Sequence, residues 1–195
     1  MEDSIHGVFK KEDKQVIYKQ IISDIEADEL NNILLKLDNN IWLDGAMHIS
    51  TGSRPYLELD LFSSHENLKE IYNRLPIILR DYFPDLQVNN DSRFYNHQYG
   101  STKPHKDGMG GRDGISNYTL LLYLTDNFND GKLSIKLRRS IEEENEDQPD
   151  KHHKVFTIIP KKGYGVIFHK ELLHWASEIV EGEKNFLLIH LFSNF

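Results

Sequence analysis

From residue 90 onward the chain is a succession of short β-rich segments: "RFYNHQYG", "YTLLLYLT", "KLSIKL", "KVFTII", "YGVIF", "HWASEIV" and "KNFLLIHLF". Turn residues separate them. Many short strands at this spacing predict an antiparallel sandwich or barrel. The first 90 residues read differently. "QVIYKQII" (15–22) has strand propensity. "SDIEADELNNILLKLDNN" then places Ser23 and Glu26 at capping-box spacing, with Ile25, Leu30, Ile33, Leu34 and Leu37 at a helical period. "SSHENLKEIYNRLPIILRDYF" repeats the device. Ser63 and Glu66 form its box, and Leu68, Ile71, Tyr72, Leu75, Ile78, Leu79 and Tyr82 its apolar stripe. Pro76 is expected to kink this second helix. Helices first and strands afterwards predict an α+β fold with the helices packed on one sheet.

The length of 195 residues fits one domain, with helical support over 15–90 and a strand core over 91–195. The chain has no cysteine, which excludes disulfides, zinc–thiolate sites and thiol catalysis. A net charge of −8, from 23 basic and 31 acidic residues, disfavours a general nucleic-acid or anionic-membrane surface. "MEDSIHGVFKKEDKQ" contains no apolar core of a secretory signal, and no apolar run approaches the ~20 residues of a membrane span. The expected location is cytoplasmic. The first 14 residues read as a loose polar arm. "RRSIEEENEDQPDKHHK" (138–154) is charged and poor in apolar residues, and reads as a solvated loop between strands. His152 and His153 lie in it, and a solvated hairpin tip explains them better than a metal tract does.

The chemistry begins at "KPHKDG" (103–108), where His105 and Asp107 stand one residue apart. Ten histidines and 31 acids should produce about one or two such pairs by chance, and the chain has two, the other being His169 with Glu171. The motif alone therefore decides nothing. Its geometry is suitable, however. Residues i and i+2 of an extended segment point the same way, so one ion can take both. Non-haem iron requires two imidazoles and one carboxylate on one face, with three positions left open. The third ligand has to come from a distant strand closing over the same pocket.

The segment "PKKGYGVIFHKELLHWASEIVEGEKNFLLIHLF" supplies a candidate, His174. This segment resembles the C-terminal half of the 2-oxoglutarate- and Fe(II)-dependent dioxygenases, specifically the prolyl 4-hydroxylase-like group. The matching positions are Pro160, Gly163, Phe168, His174 and, ten residues on, Lys184. "YTLLLYLTDNFNDG" resembles the Thr-x-x-x-Tyr-Leu-Asn strand and glycine turn of that family. "RFYNHQYGSTKPHKDG" resembles its strand leading into His-x-Asp. The resemblance covers roughly residues 90 to 195. Two departures stand out. Gly131-Lys132-Leu133-Ser134 replaces the family's Gly-Gly-Glu-Thr, and Trp175 and Ala176 follow the distal histidine where a glycine is usual. Both bear on the substrate cavity rather than the metal ligands.

The resemblance implies a double-stranded β-helix, the jelly-roll or cupin-like fold, with the N-terminal helices packed on one sheet. It implies Fe(II) held by His105, Asp107 and His174, with 2-oxoglutarate as cosubstrate, O2 as oxidant and ascorbate as reductant. Lys184 takes the far carboxylate of the cosubstrate, and Tyr95, ten residues before His105, is a further candidate contact. The expected reaction is hydroxylation of a C–H bond. A peptide or protein substrate with prolyl residues comes first, and a small molecule is the alternative. The nucleic-acid demethylase branch relies on arginines after the distal histidine, and none occurs after Arg139. A metal enzyme of the same fold without 2-oxoglutarate, and a non-catalytic binding module, remain as other classes.

Turn chemistry offers one check. A three-residue loop of Val180, Glu181 and Gly182 would pair Ile179 with Glu183 in a hairpin and set His174 and Lys184 on one face. Gly182 would then occupy the left-handed position. His190 shares the inward face with Lys184 in that register. For His190, His97 and the His169/Glu171 pair, packed or loop positions are the simpler reading. "DGMGGRDG" (107–114), with Arg112, lacks the strand–helix context of a phosphate loop and reads as a flexible flap beside the iron.

Overall fold

The computed structural model describes residues 16–37, 42–44, 49–53, 55–60, 65–107, 116–137 and 155–194. The expectations for the N-terminal arm, Ser63, Arg112 with residues 108–114, and the charged segment with His152 and His153 lie outside these residues.

Strand β1 (Val16–Gln20) leads into helix α1 (Asp24–Leu35). The predicted capping box is present. The Ser23 hydroxyl accepts from the Glu26 N–H, and the Glu26 carboxylate accepts from the Ser23 N–H at 2.7 Å. Two orphan N–H groups of the first turn are thereby satisfied. Ala27, Leu30 and Leu34 form the buried stripe of α1, and Ile25, placed on that stripe by periodicity, is 72% exposed. Helix α2 (Glu66–Ile78) starts one residue after His65, whose ring nitrogen accepts from the Asn67 N–H. His65 is therefore the N-cap. Leu68, Ile71 and Leu75 are its buried face, and Pro76 sits in its last turn, two residues before it ends.

Between the helices lie β2 (Leu43–Asp44), β3 (Ile49–Ser53) and β4 (Pro55–Asp60). After α2 come β5 (Gln87–His97), β6 (Tyr99–Thr102), β7 (Tyr118–Tyr123), β8 (Asn129–Asp130), β9 (Leu133–Lys136), β10 (Val155–Ile158), β11 (Tyr164–His169), β12 (His174–Ala176), β13 (Ile179–Glu181) and β14 (Lys184–Phe192). Among the described residues all the pairings are antiparallel. The large sheet runs β1-β11-β7-β14-β5-β4-β2. Opposite it stand two smaller sheets, β10-β9-β12 and β3-β6-β13-β8. This is the expected α+β jelly roll. The strand expected at 15–22 is β1, but helices and strands are not otherwise segregated along the chain as expected, because β2, β3 and β4 lie between the helices and β4 joins the large sheet. In β4 the alternation Leu57-Glu58-Leu59-Asp60, buried and exposed in turn, is the signal for this strand.

The large sheet is buried on both faces. Leu120, Leu122 and Leu124 from β7 and its end, and Leu187, Ile189 and Leu191 from β14, pack with α1 and α2. The alternate residues Leu121, Tyr123, Phe186 and Leu188 belong to a second cluster with Leu133 and Ile135 of β9. A strand covered on both sides reads as a continuous apolar run, as "NFLLIHLF" does. The interior face of this second cluster opens into a cavity.

The predicted hairpin between β13 and β14 is not formed. Ile179 pairs with Gly100 of β6 and Asp130 of β8, whereas Lys184 pairs with His97 of β5. Both edges of β14 are occupied, by β5 and β7, so none is left for β13. The chain instead crosses at Gly182 from a small sheet to the large one. Gly182 is left-handed, with φ +88°, as expected. A Cβ there would lie 2.4 Å from the Asn127 carbonyl oxygen, so close backbone approach is a second reason for glycine.

Candidate metal centre and its cavity

His105 lies just beyond β6, and His174 opens β12. Their backbones exchange both N–H to carbonyl bonds at 2.9 Å. That pairing puts the two side chains on one face, with ring centroids 4.3 Å apart. Asp107 follows two residues on, pinned by its own N–H to the Lys170 carbonyl at 3.1 Å. One ligand atom from each of His105, Asp107 and His174 falls within 4.8 Å of the others. Asp107 Oδ1 is 3.3 Å from His174 Nε2 and 3.9 Å from His105 Nε2. Bonds of about 2.1 Å at right angles need ligand atoms about 3 Å apart, so small side-chain rotations would seat a divalent ion.

The imidazoles are oriented for the task. His105 Nδ1 lies 2.7 Å from the Lys103 carbonyl and His174 Nδ1 3.0 Å from the Leu172 carbonyl. A carbonyl can only accept, so each Nδ1 carries a proton and each Nε2 is turned toward Asp107. Burial pushes the Asp107 carboxyl up. The hydrogen bond and charge of His174, with the Thr119 hydroxyl and His105, outweigh that and hold it at about 2. The carboxylate is therefore ionised at neutral pH. Its second oxygen accepts from Thr119 Oγ1 at 2.6 Å. Two imidazole nitrogens and one carboxylate, with no thiolate, are a donor set for non-haem iron.

The triad opens into a cavity of about 430 Å³, its mouth included. Leu121, Tyr123, Phe186 and Leu188 of the large sheet and Leu133 of β9 give it apolar walls, and Asp107 is the only carboxylate among the described lining residues. Lys184 also lines it. The side chain is 3% exposed, and its ammonium donates to the Gly131 carbonyl at 2.7 Å, with the Phe128 ring 6.0 Å away. Asp130 and Gly131 are both left-handed, with φ of 63° and 62°, and this turn aims the carbonyl at the amine. On β14, Phe186 and Leu188 separate Lys184 from the level of Thr119, which faces His190. The cation and the triad thus bracket an apolar stretch.

The structure therefore brings together His105, Asp107, His174 and Lys184. Tyr95 is placed elsewhere in the same core, stacked on Phe186 at 5.1 Å and tilted against Tyr56, and is not among the described residues lining the cavity. Tyr123 and Thr102 are in its wall. His97 lines the cavity beside its cross-strand partner Lys184. His169 sits edge-on to Tyr118, and its Nδ1 accepts from the Glu171 N–H, as a turn residue does. His190 is buried, and burial pushes its imidazole below its ordinary value. Thr119 went unremarked in the sequence except as part of the Thr-x-x-x-Tyr-Leu pattern.

No protein-family profile and no curated protein sequence matches the chain. Solved structures do match. A Pseudomonas putida prolyl-4-hydroxylase superposes with a TM-score of 0.67 at 13% identity, over 93% of this chain and 94% of that one. A viral collagen prolyl hydroxylase from Paramecium Bursaria Chlorella virus-1, in its 2-oxoglutarate complex, gives 0.59 at 19% identity, over 91% and 95%. The epimerase SnoN, in complex with Fe3+, α-ketoglutarate and nogalamycin RO, gives 0.67 at 11% identity, over 92% and 79%. The chain has the fold of the 2-oxoglutarate/Fe(II) oxygenases. Within that fold, the cluster of His105, Asp107 and His174 lies between the large sheet and the smaller ones. Among the described residues no helix is long and apolar enough to cross a membrane.

Proposed function

We propose that this protein is a 2-oxoglutarate- and Fe(II)-dependent hydroxylase, with residues 1–195 as one such domain. The observation that carries the reading is that His105 and Asp107, His174, and Lys184, from three separate segments, face one cavity. Fold likeness alone would leave the activity open. The side chains supply the chemical argument. His105, Asp107 and His174 would hold the ion through three adjacent positions. The Lys184 ammonium lines the same cavity and would take the far carboxylate of a dicarboxylate reaching from the triad. The two methylenes of the dicarboxylate would lie against the apolar wall of Phe186 and Leu188.

When bound, Fe(II) with 2-oxoglutarate and O2 supplies an oxidative decarboxylation that puts one oxygen atom into a substrate C–H bond and the other into succinate, with release of CO2. The chain's residues have other tasks. Leu121, Leu133, Phe186 and Leu188 exclude water from the reacting centre. Asp107 fills a position that a glycine or alanine would leave for a halide, which favours hydroxylation. Ascorbate would serve as reductant. A prolyl residue in a peptide is the substrate favoured by the C-terminal segment "GYGVIFHKELLHW…K". The SnoN match names a small-molecule ligand instead, and both classes enter the test.

The test is succinate release from 2-oxoglutarate by protein supplied with Fe(II), ascorbate and O2, with proline-containing peptides and small molecules as separate arms. The expected result is turnover that requires His174 and Lys184, with a mass increase of one oxygen atom on a peptide. Modification of a small molecule alone moves the substrate to that class. Absence of succinate in every arm overturns the proposal.

A further inference from the structure

Asp107 uses its two oxygens differently. Oδ1 is the atom that approaches both imidazole Nε2 atoms, at 3.3 and 3.9 Å. Oδ2 is turned away into a 2.6 Å hydrogen bond from Thr119 Oγ1. Thr119 is fully buried on β7, flanked on its own face by Leu121 and, across the strands, by His190. A valine would satisfy the strand and the packing equally well, since it has the same shape and β-branching. The hydroxyl is what a valine would lack, and Asp107 is where that hydroxyl goes.

We infer that Thr119 is a positioning residue that holds Asp107 as a one-oxygen ligand. The inference rests on the metal-site reading above. A carboxylate that closes on an ion with both oxygens takes two positions, and with two histidines leaves two of six open. A carboxylate restrained to one oxygen leaves three. A keto acid that chelates through two atoms, together with O2, needs all three. Thr119 thereby controls how many positions the site offers without itself touching the ion. Outer partners of this kind are worth roughly 10- to 100-fold in metal affinity.

Co(II) is the probe, because its visible spectrum reports coordination number and its binding can be read without turnover. Wild type, Thr119→Val and Thr119→Ser are titrated with Co(II) in the absence of 2-oxoglutarate, with thermal unfolding of the metal-free proteins alongside. Thr119→Ala replaces the valine variant if the latter does not fold. The expected result is a roughly 10- to 100-fold weaker affinity and an altered spectrum in the variants without a hydroxyl, with both restored in Thr119→Ser. Wild-type affinity and spectrum in a hydroxyl-less variant overturn the role of Thr119 while leaving the metal site standing. Equal loss in the serine variant overturns it in favour of packing. A wild-type chain that binds no Co(II) overturns the metal site and this inference together.

Discussion

His105 and His174 are hydrogen-bonded to each other through both backbone N–H groups, and this one ladder rung sets two imidazoles from distant segments side by side. The rung is made by main chain alone. Removing the His174 side chain therefore leaves it in place. His174→Ala is expected to fold, as read by circular dichroism and a cooperative melt, and to lose metal affinity by more than the roughly 10- to 100-fold that an outer partner costs. A variant that still binds the metal at wild-type strength would remove His174 from the ligand set.

Lys184 should act on the cosubstrate and not on the metal. Truncating one member of a buried charge pair costs about 2–5 kcal/mol, which is roughly tens-fold to thousands-fold in affinity. Lys184→Ala is therefore expected to raise the 2-oxoglutarate requirement by at least about tenfold, with Co(II) affinity unchanged. Calorimetric titration of each ligand separates the two effects. A collapse of metal affinity would contradict the assignment.

Gly182 carries the chain from one sheet to another at a left-handed φ, with the Asn127 carbonyl in the place of a Cβ. Gly182→Ala is expected to destabilise the fold by about 1–3 kcal/mol or more, lowering Tm by several degrees. The backbone around Lys184 would shift with it, so its cosubstrate affinity should fall as well. Thermal melts and the same titration check both.

Glu26 links the helices by accepting from Arg74 while it caps α1. The Arg74 hydrogen bond, above the opposing effect of desolvation, holds its carboxyl at about 2, below its ordinary 4.5. A depressed carboxyl stabilises the fold fully above the unfolded value and loses that contribution as pH falls through the folded one. Both side chains are about a third exposed, at 34% and 39%, so the effect is screened and should stay below about 1 kcal/mol. Glu26→Gln is expected to melt slightly below wild type at pH 7, and the gap should close between pH 4.5 and 2. Melts across that range are the measurement.

The candidate ligands could be named from the sequence because the motifs that carry the resemblance are local. His105 and Asp107 are two apart, and His174 and Lys184 are ten apart. Strand pairing was less legible. Val180-Glu181-Gly182 looks like a hairpin loop from its own residues, and only the occupation of both edges of β14 by β5 and β7 forbids it. His174 and Lys184 do not share a face of one sheet, as that hairpin required; they reach one cavity from two different sheets. His65 displaced the expected serine as the α2 cap because its ring nitrogen accepts from the Asn67 N–H. The partner of Thr119 was not legible for the same reason as the pairing: its hydroxyl has meaning only beside Asp107, which the loop after β6 delivers. In Leu57 and Leu59 of β4 the alternation was present in the chain.

The most direct measurement is an anaerobic titration of the Fe(II)-loaded protein with 2-oxoglutarate, followed by visible absorption. Chelation of a keto acid to ferrous iron at this site should produce a weak visible charge-transfer band that saturates in the wild type, needs far more 2-oxoglutarate in Lys184→Ala, and is lost in His174→Ala. A band that persists unchanged in His174→Ala, or none in the wild type, would contradict the account.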